Sequence, residues 1–203
     1  MASKHRAEIE RRTREATDRQ DWEAATEVAV RGYGPEVFGF LVHTTSDETL
    51  AGDAFSWFCE SLLKAIPRFR WEASLRSLCY VLARRGISRA KRGRPNVRET
   101  PLTTGKMEHL AQEITTSALP IYRQQMASEV AGLRAALAEE DRVLLTLRVD
   151  RELSWKEVAA VMSDEDELDD ETLDRHAAAL RKRYERAKHQ LRELAIARGL
   201  RES

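Results

Sequence analysis

Apolar residues recur along this chain at three- and four-residue steps, the spacing of one face of an α-helix, and no strand-like alternation competes with them. Leu50, Ala54, Phe55, Phe58, Leu62 and Ala65 keep that step until Pro67, which lacks the backbone N–H a helix interior needs and so ends the run. A second stripe, Leu75, Leu78, Cys79, Leu82, Ala83 and Ile87, leads into a basic stretch. Upstream, residues 3–31 are highly charged with few apolar positions, among them Ile9, Trp22 and Val28, and predict a partly exposed helix. Gly32 to Pro35 reads as a break, with Pro35 suited to the first position of a new helix that carries Val37, Phe38, Phe40 and Leu41.

Between Gly93 and Ile121 stand Pro95, Pro101 and Pro120, several threonines and little periodicity, the composition of a linker holding at most a short helix. Beyond it the stripe resumes with Met126, Val130, Leu133 and Leu137, then Val143, Leu144 and Leu147. Ser154 with Glu157 three residues on has the form of a capping box, opening a short helix with Trp155, Val158, Ala159 and Met162. The last helix has the clearest stripe, Leu173, Ala177, Leu180, Tyr184, Ala187, Leu191 and Leu194. The pattern predicts an all-α chain of two small helical domains: a charged extension over 1–32, a first domain over 33–92, a linker over 93–125 and a second domain over 126–203.

Composition narrows the class. With 42% hydrophobic and 33% charged residues the chain reads as soluble helical protein, neither disordered nor membrane-embedded. It has no apolar run near the roughly 20 residues that span a bilayer, and Met1 to Arg14 lacks the apolar core of a signal peptide, so a cytoplasmic location is expected. Cys59 and Cys79 lie within apolar helical stripes and read as small buried hydrophobes. The histidines are scattered, with no pair at zinc-ligand spacing. No nucleophile–base pair or phosphate loop stands out, so neither an enzyme nor a cofactor is expected.

Charge changes the picture more. The net charge is zero, yet residues 84–98 hold seven bases and no acid, and residues 163–174 hold eight acids and no Lys or Arg. From Arg175 onward nine bases face three acids. Two helices separated by a connection, the second loaded with Arg and Lys, have the form of a helix-turn-helix, whose second helix lies in the DNA major groove. A solvated basic helix in a bundle gives the same pattern.

The motifs favour the first reading. LAEEDRVLLTLRVDRELSWKEVAAVM followed by LRKRYERAKHQLREL resembles the fourth region of extracytoplasmic-function (ECF) sigma factors, through Leu137, Glu140 and Leu144, then Leu153, Ser154, Glu157, Val158 and Ala159, then Leu180, Arg181, Arg183, Tyr184, Arg186 and Ala187. DAFSWFCESLLKAIPRFRWEASLRSLCYVLARRGISRAKR is similar to the second region of the same family, through Asp53, Ala54, Glu60, Leu62, Lys64 and Ala65, then Phe69, Arg70, Leu75, Tyr80, Leu82, Ala83 and Arg84. The resemblance implies a region 2 bundle and a region 4 helix-turn-helix, which carry RNA polymerase to promoters and help melt them. It implies that Asp53, Phe55, Glu60, Leu63 and Lys64 touch the clamp helices of the largest polymerase subunit; by their place in the apolar stripe, Phe58 and Leu62 read instead as closing the bundle core. It implies that Arg70, Trp71, Arg76, Tyr80, Arg84, Arg85, Arg89, Lys91 and Arg92 meet the minus-10 element, where cations serve phosphates and rings serve an unstacked base. Trp71 reads equally as a lid over the bundle. Arg181, Lys182, Arg183, Glu185, Arg186 and Lys188 would face the minus-35 element. The implied partners are promoter DNA, core RNA polymerase through those clamp helices and the flap of the second-largest subunit, and an anti-sigma factor.

The acidic stretch Asp164 to Asp174 is about ten residues longer than such a motif needs. Two readings stand: Asp169, Asp170 and Glu171 cap the following helix with the rest a solvated loop, or the stretch competes with promoter phosphates for the basic helix. Two further classes remain open, a helix-turn-helix regulator that binds DNA without polymerase and a mimic that titrates an anti-sigma factor.

Overall fold

The structure, a computed structural model, describes residues 2–93, 105–163, 165 and 169–199. Among these, all regular structure is helical and no strand occurs. The chain divides into two compact units, the first ending at Pro120 and the second beginning at Ile121.

The first unit is built around one long helix. α1 (Ala2–Asp18) turns Ile9, Thr13 and Ala16 inward at four- and three-residue steps, and all three are buried. α2 (Trp22–Thr45) follows, opened by Asp21, whose carboxylate accepts from the Ala24 amide at 3.0 Å. α2 passes straight through the break expected at Gly32 to Pro35, so Pro35 sits inside the helix and the expected division at residue 32 falls within it. The glycines there serve close packing. A Cβ on Gly32 would come within 2.6 Å of the Ile9 side chain, and one on Gly34 within 2.9 Å of Ile114. The charged extension is therefore part of the bundle.

α3 (Glu48–Ala65) is capped by Asp47 and runs into a 3-10 turn, Ile66–Arg68, that holds Pro67. α4 (Leu75–Lys91) opens on Ser74, whose hydroxyl accepts from the Ser77 amide at 3.1 Å. α1, α3 and α4 all pack against α2, and the rings of Phe38, Phe40, Phe55, Phe58 and Tyr80 are essentially sealed from solvent. Phe38 meets Phe55 edge-on at 5.5 Å, and Phe40 meets Tyr80 at 5.3 Å. Each such ring removed from water contributes about 2–3 kcal/mol. Cys59 and Cys79 are buried free thiols whose pKa values burial pushes up, which makes them poor nucleophiles.

The expected linker is largely helix. α5 (Gly105–Met126) contains Pro120 and buries Met107, Leu110, Ala111, Ile114 and Ala118. Its first part lies against α2, with Ile114 beside Gly34, Lys106 paired to Glu27 at 2.8 Å, and Arg31 paired to Glu113 at 3.3 Å.

The second unit has a smaller, aliphatic core. α6 (Glu129–Ala135) and α7 (Glu139–Leu145) come first, α7 widening into a π-turn over Thr146–Asp150. α8 (Trp155–Met162) opens with the expected capping box: Ser154 Oγ accepts from the Glu157 amide, and Glu157 Oε2 accepts from the Ser154 amide at 2.8 Å. α9 (Asp170–Ala197) lays Ala177 and Ala187 inward. Leu137, Leu145 and Ala187 form a cluster against which Tyr184, Leu191 and Leu194 pack. No helix among the described residues is long and apolar enough to cross a membrane.

Candidate nucleic-acid interface

The sequence places an acidic start, an apolar stripe and a basic middle on α9, and each finds a different environment. Asp169 is the N-cap, accepting from the Thr172 amide at 2.7 Å, and this bond holds its carboxyl below the usual carboxylate value. Lys156 of α8 reaches Asp170 at 3.4 Å and Asp174 at 3.3 Å, and the two carboxylates raise its pKa. The part of the acidic stretch that can be followed thus caps α9 and ties it to α8. Asp164 and residues 166–168, on which competition for the basic helix would rest, lie outside the described residues.

Next along α9 comes a ladder of rings and cations. Trp155 on α8 meets Tyr184 edge-on at 5.5 Å. The guanidinium groups of Arg148 and Arg181 lie over the Trp155 ring at 5.1 and 5.7 Å, and the Lys188 ammonium lies 4.9 Å from the centre of the Tyr184 ring. The π-turn carries Arg148, whose Nη1 also donates to the Leu153 carbonyl at 2.9 Å. Contacts of this kind at a surface contribute about 0.5–1 kcal/mol each. Their greater effect is to hold long cationic side chains in place, which lowers the entropy lost when a ligand is bound.

Of the residues expected at the minus-35 element, Arg181, Lys182, Glu185, Arg186 and Lys188 are exposed. Lys182 and Arg186 have no ion-pair partner among the described residues, while Lys188 shares its charge with Glu185 at 3.0 Å. Arg183 departs from the expectation: its Nε donates to Asp141 of α7 at 2.6 Å, so it fastens α9 to the unit's core. The N-terminal turn of α9, which a recognition helix ordinarily offers to the groove, carries Asp170 and Glu171. The cationic surface begins farther in, with Lys182 about 18 Å along the axis from Asp170.

In the first unit, Asp53, Glu60, Leu63 and Lys64 share the outward side of α3, Asp53 and Lys64 exposed and the other two half-buried. Phe55 does not join them. It is sealed between Phe38 and Phe58, because it belongs to the stripe with Ala54, Phe58 and Leu62. On α4, two expected DNA contacts are likewise structural. Arg76 is buried, its guanidinium paired to Glu36 at 2.7 and 3.1 Å and set over the Tyr80 ring at 5.5 Å. Tyr80 is itself buried against Phe40. Arg84 and Arg85 are half-buried, and Arg89, Lys91 and Arg92 are exposed; Arg85, Arg89 and Arg92, at i, i+4 and i+7, share a face.

The loop before α4 brings a ring to the surface. Trp71 is half-buried at φ +59°, a left-handed conformation that costs a bulky residue on the order of 1–3 kcal/mol. Its ring lies 5.0 Å from Phe69 and under the guanidinium of Arg14 from α1, at 5.5 Å. Arg70 beside it is exposed. Sequence reasoning missed Arg14 and Arg148, whose partners lie far along the chain or across a turn and leave no periodic signal.

Compared with known protein families, curated proteins and solved structures, the chain matches none.

Proposed function

We propose that this protein is a transcription initiation factor of the ECF sigma type, in which the first unit takes the melted minus-10 strand and the polymerase clamp helices and the second unit reads the minus-35 element. The observation that carries the reading is the middle of α9: Lys182 and Arg186 stand open on a helix whose inner side is fixed to α8 by Trp155 and Tyr184. Such a surface suits a phosphate backbone, and the motif resemblance in both halves supplies the class of DNA.

Run-off transcription with core RNA polymerase tests it. The protein is expected to direct a discrete start at a cognate promoter. The variant Lys182→Ala with Arg186→Ala should bind minus-35 duplex at least about tenfold more weakly, with the slope of log affinity against log salt reduced by about 2, since each lost phosphate contact removes about 0.9. A protein that neither binds core nor directs a start sinks the reading; duplex binding without core activity turns it into a stand-alone regulator.

A further inference from the structure

We infer that Arg14 of α1 belongs to the nucleic-acid site of the first unit: it rests over the Trp71 indole in the free protein, yields that ring to an unstacked base, and then pairs with a phosphate of the same strand. The inference rests on the single-strand role proposed above for this loop, and it adds a residue from a helix that neither the motifs nor the resemblance included.

Four observations carry it. Arg14 is exposed, makes no ion pair among the described residues, and sits 5.5 Å from the ring centre, whereas nearby Arg11 is tied to both Glu8 and Glu15. Arg14 is therefore the member of this pair whose charge remains open to a phosphate. The backbone beneath it cannot drift, because Ile9, Thr13 and Ala16 are buried around it and Glu10 of the same helix accepts from the Tyr33 hydroxyl at 3.3 Å. Only the long side chain is left to swing. Trp71 holds its ring at the surface from a left-handed backbone, and strained residues of this kind concentrate at functional sites. Phe69 supports the ring at 5.0 Å, and Arg68 and Arg70 add exposed cations on the same short stretch.

The exchange follows from relative strengths. A base stacked on an indole gains more than an exposed guanidinium does over the same ring. The displaced cation then finds a full negative charge within reach of its side chain.

Fluorescence anisotropy of a dye-labelled oligothymidylate with the full chain, across a salt series, tests the proposal. Arg14→Ala and Arg14→Gln should each weaken binding about five-fold and lower the salt slope by about 0.7, one single-strand phosphate contact. Arg14→Lys should restore the slope. Trp71→Ala should weaken binding by a similar factor and leave the slope unchanged. An unchanged slope in both neutral variants makes Arg14 a staple between α1 and the loop, and tighter binding makes it a plug; either overturns the inference, as does a wild type that ignores the oligonucleotide. Polymerase is absent from this assay, so failure of run-off transcription overturns the sigma reading separately.

Discussion

The two units place their aromatic residues in opposite ways. In the first, Phe38, Phe40, Phe55, Phe58 and Tyr80 are packed inside and even a guanidinium, that of Arg76, is drawn in to join them. In the second, among the described residues, the sealed core is mainly aliphatic with Tyr122 the one buried ring, while Trp155 and Tyr184 stay near the surface and carry Arg148, Arg181 and Lys188 on their faces. A buried ring contributes packing; a half-exposed ring arranges charge. The first unit has its own half-exposed ring in Trp71, and that ring too holds an arginine.

Substitutions sharpen the contrast, and the largest effect belongs to the interior. Phe55→Ala should destabilise the protein by about 3–5 kcal/mol in urea titration, while Trp155→Ala, at a half-exposed site, should cost about 1–2 kcal/mol and weaken DNA binding instead. Equal losses would erase the distinction between the units. Two arginines make a second test. Arg76→Ala leaves Glu36 facing a largely buried site, the two side chains being 7% and 23% exposed, and should cost about 3 kcal/mol. Arg183→Ala, from a pair 33% and 17% exposed, should cost about 1 kcal/mol.

The smallest effect is electrostatic. Asp169 has a folded pKa below its unfolded one, so its contribution is complete above the ordinary carboxylate pKa and is lost as pH falls through the lower folded value. Asp169→Asn keeps a capping side chain and removes the charge. Its melting temperature should lie below that of the wild type at neutral pH, with the gap closing in acid; no gap at neutral pH means the cap acts by geometry alone, and a gap that persists in acid shows that the charge is not its cause.

Much of the helical pattern was legible in the sequence. The stripes of α3, α4 and α9, the stop near Pro67 and the capping box at Ser154 are local signals, and the structure repeats them. Two punctuation marks misled. Gly32 to Pro35 has the composition of a break, yet its glycines are small because Ile9 and Ile114 press on them from elements distant in sequence. Residues 105–125 look like linker because of Pro120 and the threonines, although Met107, Leu110, Ile114 and Ala118 form a stripe that tertiary burial completes. Arg94 and Arg98, in the basic run, fall outside the described residues. For the candidate site, residue type and spacing located the basic helices without separating exposed cations from paired ones. Arg76 and Arg183 are drawn inward and paired to Glu36 and Asp141, carboxylates distant in sequence, whereas Arg89 and Arg186 stay exposed.

Lys156 has a consequence for how such a chain can change over generations. With α8 and α9 joined directly by Lys156 to Asp170 and Asp174, and by Trp155 to Tyr184, the segment between the two helices need not set their angle. A longer loop costs little extra closure entropy, about 0.6 kcal/mol for each doubling. Residues between the two helices can thus be gained, lost or exchanged while Lys156, Asp170 and Asp174 keep the pair in register.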